Sequence, residues 1–196
     1  LLHADKKLRG NKEIVLAAVR QYGDVLEYAD KKLKSNKEIV LAAVKQNGSA
    51  LSYADKNLRA NKKIVLAAVK QNGYALADAD KKLRADKEVV LAAVKLGKKP
   101  TYERDGGALE YADKKLKANK EFILAAVKQN YNVLRFTDEK FKKDKEVVLE
   151  AVKQYGSALQ YADKKLKADK KFILTAIKES ASTLKHADDK LKADKE

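Results

Sequence analysis

The side chains of this sequence that could act chemically return in rows. A lysine stands at Lys12, Lys37, Lys62, Lys87, Lys120, Lys145, Lys170 and Lys195. A second row of cations runs Arg20, Lys45, Lys70, Lys95, Lys128, Lys153 and Lys178, and a third runs Arg9, Lys34, Arg59, Arg84, Lys117, Lys142, Lys167 and Lys192. Cations at a fixed interval can track a polyanion; neutralising its phosphates would release counterions and make binding fall steeply with salt. The same rows also suit a solvated face, because cations near helix C-termini oppose the helix dipole and exposed ion pairs contribute only ~0–1 kcal/mol each. With 44 basic against 28 acidic residues the formal charge is +16, which favours acidic partners: nucleic acid, anionic lipid or acidic protein. Only six of the 44 are arginine. Lysine is the strongly hydrated cation, commoner on solubilising faces than in specific phosphate readers, so the third row reads as a solvated face and the second stays open.

Carboxylates and imidazoles point away from catalysis. Aspartate recurs in all eight copies of one position, at Asp5, Asp30, Asp55, Asp80, Asp113, Asp138, Asp163 and Asp188. A poor helix former recurring in mid-helix suggests a cap for a further short turn rather than a buried acid. His3 and His186 belong to an aromatic row with Tyr28, Tyr53, Asp78, Tyr111, Phe136 and Tyr161, read as part-buried rings with polar tips in water rather than a base-stacking platform. Neither histidine has a second histidine or cysteine at ligand spacing, which argues against zinc. There is no cysteine, no serine placed with both histidine and a carboxylate, and no glycine-rich phosphate loop. The expectation is a non-enzyme without catalytic, cofactor-binding or metal residues.

The elements that must position these rows follow from an internal repeat. Units aligned on the Asn/Asp-Lys pair start at Asn11, Asn36, Asn61, Asp86, Asn119, Asp144, Asp169 and Asp194, so the period is 25 with one longer step. In "NKEIVLAAVK" the spacing predicts a helix capped by Asn36, with Glu38 at the positive end of its dipole and a glycine stop at Gly48. Gly23, Gly73 and Gly156 stand at the same place. A second segment is expected to start at a cap such as Asp24, Ser49 or Ser157 and to carry Ala50, Leu51, Ala54 and Leu58 at helical intervals. On a helical wheel Ile39, Val40, Leu41, Ala43 and Val44 cover about 200°, more than one-sided packing needs. Such units must bury themselves against each other. The expected fold is therefore all-α: a solenoid, or α-α superhelix, of about seven to eight stacked 25-residue helical hairpins forming a single array over 1–196. The chain starts inside a unit and lacks methionine, which points to a fragment of a longer array. Its longest apolar run, "IVLAAV", is far below the ~20 residues that span a bilayer, so no transmembrane segment is expected and the array reads as soluble.

"DKEVVLAAVK" (Asp86 to Lys95) together with "GSALQYADKKLKA" (Gly156 to Ala168) resembles the tandem repeats of the domain of unknown function 4116 family. The resemblance covers essentially the whole chain outside the insertion and implies a helical-repeat architecture; it implies no activity. The family often has Ser then Glu-Glu where this chain has Asp163, Lys164 and Lys165, so this chain is the more basic.

Two places could receive a partner. One turn before each cation of the second row stand Ala17, Ala42, Ala67, Ala92 and Ala125, then Glu150 and Thr175; small residues beside cations would form a shallow groove for a partner's helix or extended segment. The candidate contacts are Arg20, Ala42, Lys45, Ala67, Lys70, Lys95, Lys128, Lys153 and Lys178. The insertion, residues 96–107 ("LGKKPTYERDGG"), carries the only proline and adds Lys98, Lys99, Tyr102 and Arg104. The reading is a scaffold or interaction module presenting a basic surface to an acidic protein, as a structural or linker subunit of a larger assembly. The alternative is sequence-independent nucleic-acid binding through the cation rows.

Overall fold

In the computed structural model, which describes residues 1–2, 5–95 and 106–193, every regular element is helical. A full repeat supplies three pieces in order: a long α-helix, a 3-10 helix and a short α-helical turn. The long helices are α1 (Lys12–Gln21), α2 (Lys37–Gln46), α3 (Lys62–Gln71), α4 (Lys87–Val94), α5 (Lys120–Gln129), α6 (Lys145–Gln154) and α7 (Lys170–Glu179). This is the expected all-α repeat solenoid, with the second half of each hairpin divided in two.

The second repeat shows why. Asn36 lies in extended backbone and its side chain accepts from the N–H groups of Glu38 (3.0 Å) and Ile39 (3.2 Å), satisfying donors that α2 leaves orphaned. The helix ends where Asn47 turns extended, at φ −140°. Gly48–Tyr53 then winds as a 3-10 helix. At three residues per turn Gly48, Leu51 and Ala54 share one face, and all three are buried. The winding breaks at Ala54, and Asp55 accepts from the Asn57 N–H at 2.9 Å to start Lys56–Arg59. Asp5, Asp80, Asp163 and Asp188 cap in the same manner; Asp30 and Asp138 open their turns without such a bond.

The expected caps of the second segment are corrected. Asn47, Asn72 and Asn130 cap the 3-10 helices from one residue further back, accepting from Ser49, Tyr74 and Asn132. Asp24 accepts instead from the Asn47 side-chain amide, at 2.8 Å.

The chain divides into two compact units, Leu1–Ala93 with Tyr111–Asp113 and Val94–Glu110 with Lys114–Glu196. In the first, α1, α2 and α3 pack side by side in chain order, and so do their 3-10 helices; in the second, α5, α6 and α7 do the same. Ile39, Val40, Ala43, Val44, Ala50 and Leu51 are fully buried. Burying one large apolar side chain is worth roughly 1.5–3 kcal/mol against ~0–1 for an exposed ion pair, so packing rather than charge holds the repeats together. Leu41 departs from its expected burial and is half-exposed, as are Leu16, Leu66, Leu91, Leu124 and Leu149. The buried positions of α2 span only about 140° at 100° per residue, and Leu41 falls beyond that arc, beside Lys45.

Hydrogen bonds stitch neighbouring repeats. The backbone N–H of Asp30, Asp55, Asp80, Asp113, Asp163 and Asp188 donates to the carbonyl of Arg9, Lys34, Arg59, Arg84, Lys142 and Lys167 respectively, at 2.9–3.1 Å. Gln46 reaches back from α2, its amide donating to Gln21 O at 2.8 Å while its oxygen accepts from the Gly23 N–H at 2.5 Å. Gln71 bridges Gln46 O and the Gly48 N–H in the same way.

Gly23, Gly48 and Gly156 make room for that approach and do not serve as left-handed stops. Among the described residues only Gly106 has a positive φ, of 102°. A Cβ built on Gly23 would lie 2.5 Å from the carbonyl oxygen of Ala43 and 3.0 Å from the backbone nitrogen of Asn47. One on Gly48 would strike Ala68 O, and one on Gly156 the Ser182 hydroxyl. Gly23→Ala is expected to lower stability by about 1–3 kcal/mol, read as a fall in the urea midpoint by circular dichroism. Gly10→Ala, whose Cβ would meet only the Asp30 side chain, at 2.9 Å, is expected to cost less because that carboxylate can swing away.

Candidate functional site

The three cation rows have three different environments. The first ties repeats together: Lys12 pairs with Glu38 at 2.7 Å, Lys62 with Asp86 and Glu88 at 2.7 and 2.8 Å, Lys120 with Asp144 and Glu146 at 2.7 and 2.9 Å, and Lys145 with Asp169 at 2.6 Å. Each carboxylate belongs to the following repeat. Burial pushes the Asp86 and Asp144 carboxyls up, but hydrogen bonds from Lys62 or Lys120 and from two backbone N–H groups outweigh it and hold both below the usual carboxylate range. The Lys145 hydrogen bond lowers Asp169, and the Lys12 hydrogen bond lowers Glu38. Lys62 and Lys120 are held protonated beyond the usual lysine range by the same contacts.

The third row is turned partly inward. Its members are half-buried from Arg9 to Lys167, with Lys192 exposed. The carbonyls of all but Lys117 and Lys192 receive the aspartate N–H groups already described, and several ammonium groups bond locally: Lys117 to Glu110 O at 3.1 Å, Lys142 to Glu139 at 2.8 Å and Lys192 to Asp189 at 2.7 Å. In the aromatic row, Tyr28, Tyr53, Phe136, Tyr161 and His186 are half-buried. Asp78 takes a ring's place in a cleft beside Lys56, Arg59, Lys81 and Arg84; burial pushes its carboxyl up, opposed by Arg59.

The second row stands open at every position, whereas in the first, among the described residues, only Lys37 and Lys87 are exposed without a pair. Arg20, Lys45, Lys70, Lys95, Lys128, Lys153 and Lys178 are all exposed, and none of them forms an ion pair among the described residues. In the first unit this row borders two cavities. One of about 500 Å³ joins Leu16 and Arg20 of α1 to Glu38, Leu41, Ala42, Lys45 and Gln46 of α2. The next, about 660 Å³, joins Lys45 of α2 to Lys62, Lys63, Leu66, Ala67, Lys70 and Gln71 of α3. Arg20, Ala42 and Lys45 are thus brought together, and Ala67 and Lys70 meet Lys45 across the next groove. Lys128, Lys153 and Lys178 lie on α5, α6 and α7 of the second unit and Lys95 just after α4. There the alanine positions are Ala125, Glu150 and Thr175. Lys98, Lys99, Tyr102 and Arg104 lie outside the described residues.

The leucine of each long helix is the site residue that sequence reasoning missed. It sits inside an unbroken apolar run, so composition marked it as core; only its place at the far edge of the wheel, next to Lys45, separated it. With it, each groove has an apolar floor and cationic edges, able to hold an aliphatic side chain while opposing negative charge. Among the described residues there is no group of three or more His, Cys, Asp or Glu that could hold a metal ion, and no helix is long and apolar enough to cross a membrane.

The model of the family described as Domain of unknown function (DUF4116) matches residues 1–34, 11–59, 61–117, 101–142 and 119–167. The chain belongs to that family, whose repeat tiles it in overlapping segments. No curated protein and no solved structure matches it.

The inter-repeat pairs give a signed pH dependence. A carboxyl whose folded pKa is lowered contributes stability above the ordinary value of about 4 and loses it as the pH falls through the folded value. Asp86→Asn should keep the cap, since Asn11, Asn36, Asn61 and Asn119 cap equivalent helices, and remove the charge facing Lys62. The expected outcome is a change within about 0.5 kcal/mol at neutral pH, with a shallower loss of thermal midpoint as the pH falls below about 4.

Proposed function

We propose that this chain is a non-enzymatic helical-repeat module that presents a basic, leucine-floored face to an acidic protein partner, as a structural or linker subunit of a larger assembly. The observation that carries the reading is the contrast among the cation rows: Lys12, Lys62, Lys120 and Lys145 of the first are engaged with carboxylates of the next repeat, the third is half-buried from Arg9 to Lys167, and the second is exposed and, among the described residues, unpaired at every position, bordering apolar grooves in the first unit. Exposed ammonium groups beside half-exposed leucines suit a protein segment that brings both carboxylates and aliphatic side chains. A nucleic-acid backbone would use the cations and leave the leucines without a counterpart. The non-enzymatic part is supported by the work its carboxylates do: Asp55, Asp80 and Asp163 cap short turns, while Asp86, Asp144 and Asp169 cap long helices and pair with lysines.

Fluorescence anisotropy with a polyglutamate chain and with a random single-stranded oligonucleotide of equal charge, across a salt series, checks this. The polyglutamate should bind at low salt, and the oligonucleotide should bind no more tightly than about millimolar at about 100 mM salt, where a protein contacting many phosphates would hold it far better. Micromolar oligonucleotide binding with no binding of polyglutamate would replace the reading by the nucleic-acid one.

A further inference from the structure

The two grooves of the first unit differ in sign. The groove between α1 and α2 includes the Glu38 carboxylate, engaged by Lys12. The groove between α2 and α3 has no carboxylate in its lining, because Lys63 occupies the position held by Glu13, Glu38, Glu88, Glu121 and Glu146 in five of the other long helices. Lys62 is occupied by Asp86 and Glu88, and the Gln71 amide by Gln46 O and the Gly48 N–H. Lys45, Lys63 and Lys70 remain, exposed and with no hydrogen bond or ion pair among the described residues, around the half-exposed Leu66 and Ala67.

We propose that this groove is the specific docking site of the module for a short acidic segment carrying leucine-sized side chains: an aliphatic group rests on Leu66 and Ala67, and flanking Asp or Glu carboxylates face Lys45, Lys63 and Lys70. Charge complementarity selects the occupant. Three unopposed ammonium groups at the edge of one apolar floor repel a basic helix, gain nothing from a neutral one and have no carboxylate of their own to satisfy them, whereas Lys12, Lys62, Lys120 and Lys145 of the first row each pair with a carboxylate of the next repeat. Within the first unit the site is local: α1, α2 and α4 carry Glu13, Glu38 and Glu88 where α3 carries Lys63, and only α7 of the second unit repeats the lysine, as Lys171. It rests on the reading of the chain as a module for an acidic partner, and it narrows that partner to one bringing apolar as well as acidic side chains.

The test uses the whole chain and two fluorescein-labelled peptides of about fifteen residues. In one, Asp and Glu surround a leucine at every third position; in the other those leucines are serines. Lys63→Glu restores the residue type of five of the other six long helices, and the new carboxylate is placed to meet Lys37 as Glu38 meets Lys12, so the fold is kept. Lys165→Glu makes the same charge change in the second unit and is the control. At low salt the leucine peptide should bind at least fivefold more tightly than the serine peptide, and Lys63→Glu should weaken it at least tenfold while Lys165→Glu changes it less than threefold. Equal weakening by the two variants would overturn the assignment of the site and leave the acidic-partner reading standing. Equal binding of the two peptides would overturn the apolar part of the proposal. Absence of binding by either peptide, with tight binding of a random oligonucleotide, would overturn both the site and the reading beneath it.

Discussion

Adjacent repeats approach until backbone meets backbone, and the rest of the molecule follows from that approach. The 3-10 helix of one repeat starts against the C-terminal turn of the next repeat's long helix, so closely that a Cβ on Gly23 or Gly48 would run into Ala43 O or Ala68 O. At the other end of the same 3-10 helix, Asp55 donates its N–H to Lys34 O and Asp80 to Arg59 O of the repeat before. A repeat is thus held on both sides by groups at fixed positions, and any unit with those groups can stand next to any other. Repetition of the sequence is the consequence: each face must match a neighbour that has the same face.

That constraint also decides what is left for a partner. Helix dipoles, caps and inter-repeat pairs absorb most of the polar chemistry, including the aspartate N–H groups, Gln46 and Gln71 at the ends of their long helices and much of the first lysine row. Packing absorbs a narrow arc of each long helix. The remainder is a strip holding one leucine, one alanine and one cation per long helix in the first unit, and it is the part of the repeat where substitution leaves stacking untouched. Glu150 and Thr175 in the second unit, and Lys63 in the first, are changes on or beside that strip. They alter charge and shape without disturbing Ile64, Val65, Ala68 or Val147, Val148, Ala151 in the core.

Much of this was legible in the sequence because a repeat prints the same instruction several times. The period, the Asn/Asp caps of the long helices, the aspartate caps of the short turns and the buried Ile39, Val40, Ala43 and Val44 all follow from residue type and spacing. The 3-10 helix did not, since Ala50, Leu51, Ala54 and Leu58 fit a period of 3.6 nearly as well as a period of three over so short a stretch. The role of the glycines was hidden for a different reason: a missing Cβ reads equally as a left-handed turn or as room for a neighbour, and the neighbour lies a repeat away. The same holds for Gln46 and Gln71, whose partners are in the preceding repeat. Of the candidate site, Arg20, Ala42, Lys45, Ala67 and Lys70 were visible as a regular row, but Leu41 and Leu66 were not, because half-exposure of a leucine in an apolar run depends on the width of the packed arc.

Native-state hydrogen exchange followed by nuclear magnetic resonance tests the coupling of neighbouring repeats most directly, at the amides of Asp55 and Asp80. Each is the first residue of a short turn and has no acceptor within its own repeat; its bond goes to Lys34 O or Arg59 O. If the repeats are held together as described, these two amides exchange as slowly as that of Asn47, which donates to Ala43 O inside its own repeat. Exchange of Asp55 and Asp80 at the rate of open surface amides, while Asn47 stays protected, would contradict it by showing repeats that fold singly and touch only loosely.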